Sequence, residues 1–112
     1  MKTTRYISVI LPLKLEWEPF YALPDGVDTG VGDRVRVTFA GRLYLGVVSG
    51  VDVTPDDAAL SRIREIREIV KEKQAILPTE ITFWRKMAEY YMCSVGEVFK
   101  AAYPTVKDAD VT

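Results

Sequence analysis

The stretch Arg34-Val35-Arg36-Val37-Thr38-Phe39-Ala40-Gly41-Arg42-Leu43-Tyr44-Leu45-Gly46-Val47-Val48-Ser49-Gly50-Val51 decides the fold. Its first six residues alternate polar and apolar, so as a strand they place Val35, Val37 and Phe39 on one face. Ala40-Gly41-Arg42 is a hairpin-length connection. Leu43 to Val51 continues as a second, longer strand, with Gly46 and Gly50 as bulge or bend positions. Long bent strands of this kind close small barrels.

Before this hairpin, Arg5-Tyr6-Ile7-Ser8-Val9-Ile10-Leu11 has β-branched and aromatic content and stops at Pro12, where a ladder donor is lost. Phe20-Tyr21-Ala22-Leu23 reads as a short strand closed by a tight turn at Pro24-Asp25-Gly26. The span holding Gly26, Gly30 and Gly32 is a loop. Its spacing is neither G-x-G-x-x-G nor a P-loop, so a phosphate cradle is not expected there.

Beyond the hairpin, Thr54-Pro55-Asp56-Asp57 marks a loop, and Ile63, Ile66, Ile69 and Val70 recur at three and four, the spacing of an amphipathic helix. On that helix Arg62, Arg64, Arg67, Lys71 and Lys73 would interleave with Glu65, Glu68 and Glu72 as a solvated face of ion pairs. Thr79 is placed to cap a further helix running to about Met92, with Phe83, Met87, Tyr90 and Tyr91 as its apolar face. Ser94 and Glu97 have the capping-box spacing of a second helix ending near Ala102, and Pro104 stops it. Strands followed by helices give an α+β class: a small antiparallel β-barrel-like module followed by two C-terminal helices.

The length of 112 residues allows one core, and 48% apolar against 28% charged residues excludes disordered and fibrous classes. With no histidine and a single cysteine, Cys93, the chain forms no internal disulfide, Cys/His zinc site, or Ser-His or Cys-His nucleophilic pair. Catalysis is therefore not expected of these residues. Fifteen basic against sixteen acidic residues lack the broad positive footprint of a duplex-coating protein, while a contact to a few phosphates remains open. No stretch is long and apolar enough to span a bilayer or to form a signal segment, so a cytoplasmic, membrane-free protein is expected.

Among candidate groups, the carboxylate pairs Glu16/Glu18 and Asp56/Asp57 read as solvated surface, and Cys93 as a structural thiol. Phe83, Trp84, Tyr90 and Tyr91 read as helix core. Trp17, Phe20, Tyr21 and Tyr44 form an aromatic set that serves either as packing or as a platform for nucleic-acid bases, since base stacking is tolerant of sequence.

The ordered strings Val9-Ile10-Leu11-Pro12-Leu13, Tyr21-Ala22-Leu23-Pro24-Asp25-Gly26, Gly32-Asp33-Arg34-Val35-Arg36-Val37-Thr38-Phe39 and Gly46-Val47-Val48 resemble the N-terminal DNA-binding domain of the PriA primosomal helicases (primosomal protein N′). Residues 83–104 are similar to the A-x-Y-Y, G-x-V and A-x-P signature of that family, especially in Bacteroidetes-like members. The resemblance spans roughly residues 6–104. It implies a 3′-end DNA-binding domain over 1–104, with 105–112 a linker or tail towards a helicase region. It also implies that Ile63–Val70 is a strand, against the helical periodicity. ATP, Mg and Zn would belong to the remainder of the parent, an ATP-dependent 3′ to 5′ DNA helicase, and no cofactor to this domain. The implied partners are a DNA fork with a 3′ end, single-stranded DNA, the helicase domains of the same chain, single-stranded-DNA-binding protein and other primosome proteins. A monomer is expected.

In that family an aromatic and a carboxylate precede the tyrosine of a Y-x-x-P motif, and counting back from Tyr21 those positions fall on Pro19 and Phe20. The carboxylate is missing. Either Glu18 reaches in through a local shift, or the strand end is held by stacking and backbone groups. The family's glycine after the third strand falls on Ala40, with Gly41 one place later, and its basic residue on the fifth strand falls on Arg64. The resemblance thus implies a nucleic-acid site of Glu18, Pro19, Phe20, Tyr21, Ala40, Gly41 and Arg64. The rival reading is a protein-interaction adaptor with a degenerate pocket.

Overall fold

A computed structural model of the chain describes residues 4–71 and 75–103. The expected positions of Glu72, Lys73, Pro104 and the 105–112 tail lie outside the described residues. Among the described residues nine elements follow one another: β1 Tyr6–Ile10, β2 Phe20–Ala22, β3 Arg34–Phe39, β4 Arg42–Val51, α1 Asp57–Leu60, β5 Arg64–Glu65, β6 Glu68–Ile69, α2 Pro78–Tyr91 and α3 Val95–Ala102. The class is α+β, a curled sheet followed by two helices, as the order of strand and helix signals indicates.

The six strands form one sheet in the order β5-β2-β1-β4-β3-β6. All pairs are antiparallel except β2 with β5, which run parallel. Only Ile66 and Arg67 separate β5 from β6, yet these strands occupy opposite ends of the order. In a flat sheet the two edges would stand roughly 24 Å apart. Three Cα steps reach no more than roughly 11 Å. The sheet must therefore curl into a half-barrel until its edges nearly meet.

Residues 64–70 accordingly form no helix; they hold the two short strands β5 and β6, joined through Ile66 and Arg67. The segment donates to both edges at once: Ile66 N–H to the Ala22 carbonyl (3.1 Å), and Arg67 and Val70 N–H to the Arg36 and Arg34 carbonyls (2.8 Å each). A helix would satisfy its own backbone but leave the edges of β2 and β3 unpaired. Arg36 and Glu68, opposite one another in β3 and β6, form an ion pair at 2.7 Å across the seam. The supposed helical face of paired charges does not exist.

The interior holds Ile7, Val9, Leu11, Tyr21, Leu23, Val35, Val37, Val48 and Ile66. The outer face of β1 and β4 carries Ile10 and Val47, which pack with Ile76, Ile81, Trp84 and Phe99 from the helical layer. These central strands are thus buried on both faces. Trp84 stacks on Phe99 with centroids 5.2 Å apart, and Arg34 lies over the rings of Phe99 and Tyr103 at 5.6 and 5.4 Å. Gly96 lets α3 touch the main chain, because a Cβ there would meet the carbonyl oxygens of Leu13 and Leu11 at 2.2 and 2.3 Å.

Two readings of the helices change. The N-cap of α2 is Leu77, with Pro78 at the first helical position, so Thr79 lies one residue inside the helix. Its buried face is Ile81, Trp84 and Ala88, while Phe83, Tyr90 and Tyr91 face outward and are exposed. The helix carries apolar residues on two sides, and the ring of Phe99 selects the one with Trp84. The capping box of α3 is present in full, Ser94 accepting from Glu97 N–H and Glu97 accepting from Ser94 N–H.

Candidate nucleic-acid interface

The pairing of β1 with β4 jumps from Ser8↔Gly50 to Val9↔Val48, leaving Ser49 as the extra residue of a bulge. Bulges re-aim side chains. Ser49 Oγ here donates to Glu18 Oε1 at 2.6 Å, so the Ser8 hydroxyl, 2.9 Å from Ser49 Oγ, must donate to Ser49. Arg85 of α2 donates to both oxygens of the same carboxylate, with Nη2 3.1 Å from Oε1. Burial pushes the Glu18 carboxyl up, and the hydrogen bonds from Arg85 and Ser49 outweigh it, leaving the pKa below its ordinary value. Glu18 is therefore a pinned, ionised, partly buried group, not solvated surface.

One residue on, the Pro19 carbonyl accepts from Val9 N–H at 3.1 Å, which ties the approach of β2 to β1. Phe20 and Tyr21 open β2. Tyr21 is buried, and its hydroxyl donates to the Thr38 carbonyl at 2.8 Å. Burial pushes the Tyr21 hydroxyl up to about 12, with nearby Arg64 acting the other way. Ala40 and Gly41 form the β3–β4 turn, both at positive φ (51° and 79°). Such a two-residue turn needs left-handed backbone at both positions.

These pieces enclose a cavity of about 800 Å³, within the range of about 300–1,000 Å³ usual for small-ligand sites. Trp17, Glu18, Pro19, Phe20 and Tyr21 form one wall, Thr38, Phe39 and Ala40 another, and Asp56, Ala59, Arg62, Ile63 and Arg64 the third. Six of the seven residues implied by resemblance line it, and Gly41 does not. Tyr44, grouped with the aromatic set, packs half-buried against the barrel interior instead.

Of the third wall, sequence reasoning named Arg64 alone for the site and passed over Asp56, Ala59, Arg62 and Ile63. Asp56 caps α1 by accepting from Ala59 N–H at 2.8 Å, and this one-turn helix brings Ala59 and Arg62 to the cavity. An Asp three residues before the amide it caps was the available signal. Nothing local pointed to Arg85, which lies 67 residues from its partner. Both cavity acids are engaged within the protein, whereas Arg62 and Arg64 make no ion pair among the described residues. The cavity thus offers aromatic faces and two uncommitted guanidinium groups.

A small curled sheet with an aromatic and cationic cavity has the parts from which nucleic-acid-binding modules are built. The family model for the PriA 3′ DNA-binding domain, described as 3′DNA-binding domain (3′BD), matches residues 8–104, and the chain belongs to that family. Membership carries DNA binding in replication restart, as a module of PriA. Among the described residues no helix is long and apolar enough to cross a membrane.

Proposed function

We propose that this domain captures the 3′-terminal nucleotide of a nascent strand at a stalled fork, in the cavity between Phe20 and Arg64, without base preference. The observation that supports the reading is the gathering of Glu18, Pro19, Phe20, Tyr21, Ala40 and Arg64 around one cavity from three separated parts of the chain. Every base has a π face, so packing against Phe20 and Tyr21 does not discriminate among them. Arg62 and Arg64 supply cations for a phosphate, which positions the strand and carries no base information.

Glu18 takes the part of the acid that position 20 lacks. A carboxylate offers about four acceptor sites. Ser49 and the two Arg85 nitrogens use three, leaving Oε2 with one for a free 3′-OH. The remainder of the affinity comes from the helicase domains of the parent chain, acting in the cytoplasm with the domain as a monomer.

Titration with labelled single strands ending in 3′-OH or 3′-phosphate tests the reading. The 3′-OH end binds more tightly, because a phosphate meets Glu18. Phe20→Ala weakens 3′-OH binding by about 1–3 kcal/mol whichever base is last. Unchanged binding by a folded Phe20→Ala protein would move the site elsewhere. The adaptor reading would then gain, favoured by the outer face of α2, where Phe83, Tyr90, Tyr91 and Met92 are 57, 78, 63 and 93% exposed.

A further inference from the structure

The geometry points to a second nucleotide subsite on Trp17, which takes the base of the penultimate nucleotide; this rests on capture of the terminal nucleotide in the adjoining cavity. The two tryptophans of the chain have opposite environments: Trp84 is 2% exposed and Trp17 58%. Large aromatic side chains are usually well buried. Trp17 instead stands at the rim of the cavity and also lines a neighbouring hollow of about 560 Å³ against α2 and the start of α3.

The indole is held in place while remaining accessible. Phe39 backs it at 5.9 Å with a 57° tilt between the rings. The next two residues are fixed, Glu18 by Ser49 and Arg85 and Pro19 by its carbonyl bond to Val9. A rigid aromatic with free surface is what a stacking platform requires. Successive nucleotides rise by about 3.4 Å along a duplex strand, so a ring at the cavity rim is in reach of the next base.

The subsite reads a base and not a phosphate. The neighbouring hollow carries Glu16, Glu18 and Glu97 against Lys14 and Arg85, and Arg85 is already committed to Glu18. The sugar-phosphate chain therefore passes outside Trp17, on the solvent side.

The test compares wild type, Trp17→Ala and Trp17→Phe on a short 3′-OH strand and on the same strand abasic at its penultimate position. Trp17→Ala lowers affinity for the intact strand by about 5- to 150-fold, the factor for one stacked base, with the salt slope unchanged. The abasic position costs wild type the same factor and costs Trp17→Ala nothing further, as expected of coupled partners. Trp17→Phe keeps most of the affinity but loses the quenching of tryptophan fluorescence on binding. Additive penalties, or no loss with Trp17→Ala, would overturn the subsite. Suppression of the Trp17→Ala effect by an abasic terminal position alone would place Trp17 in the terminal pocket, overturning the subsite while leaving end capture intact. A circular single strand bound as well as the 3′-OH strand would overturn end capture, and the penultimate assignment with it.

Discussion

Arg85 on α2 grips the Glu18 carboxylate across 67 residues of chain, Nη1 on one oxygen and Nη2 on the other. This pair joins the helical layer to the cavity wall. It fixes where an acid stands in a pocket whose second strand supplies none.

Removing the guanidinium leaves a partly buried carboxylate with Ser49 as its remaining partner. Arg85→Ala is expected to destabilise the domain by about 1 kcal/mol at neutral pH, read from urea denaturation. The Glu18 pKa is depressed in the fold from an ordinary value of 4.5. Its contribution is therefore fully present above that value and is lost as pH falls through the lower folded value. The difference between wild type and variant narrows across that acid window, and a gap constant with pH would contradict the pairing.

Tyr21 carries the opposite dependence. Burial raises its hydroxyl from 10.0 to about 12, so the stability linked to it is complete below the first value and lost as pH rises through the second. Tyr21→Phe removes the donor to the Thr38 carbonyl and is expected to cost about 1 kcal/mol. The variant should also lose that alkaline dependence, which spectrophotometric titration and denaturation at pH 9 to 12 would reveal.

Ile66 lies at the seam of the half-barrel, 5% exposed, with its N–H on the Ala22 carbonyl. Ile66→Ala is expected to destabilise by about 2–5 kcal/mol through loss of buried methyl groups. Ile66→Pro removes the donor as well and should leave no cooperative unfolding transition, since a domain has only about 5–15 kcal/mol in total. A well-folded proline variant, by circular dichroism and thermal melt, would be inconsistent with closure through this segment.

Phosphate contacts should be few. With Arg62 and Arg64 as the uncommitted cations of the cavity, binding of a short 3′-ended strand corresponds to about two or three phosphates, a log–log salt slope of about −1.4 to −2.1. Arg64→Ala should reduce that slope by about 0.7 and weaken 3′-OH and 3′-phosphate ends alike. A slope near −5 would indicate a much wider electrostatic contact.

What the sequence determined by itself is local. The alternation of Arg34–Phe39, the turn at Pro24-Asp25-Gly26 and the box of Ser94 and Glu97 specify their structures because the groups that bond or share a face lie within a few residues of one another. Tertiary structure decided the rest. Residues 63–70 carry a helical period, but the open edges of β2 and β3 draw them into β5 and β6, and the edge residues they bond lie up to 44 positions away. The outward turn of Phe83, Tyr90 and Tyr91 was likewise undecidable along the helix, because Trp84 and Phe99 meet only after the helices dock. Glu18 looks like any surface acid until α2 brings Arg85 to it. Each of these outcomes depends on which distant group arrives to satisfy an edge, a ring or a charge.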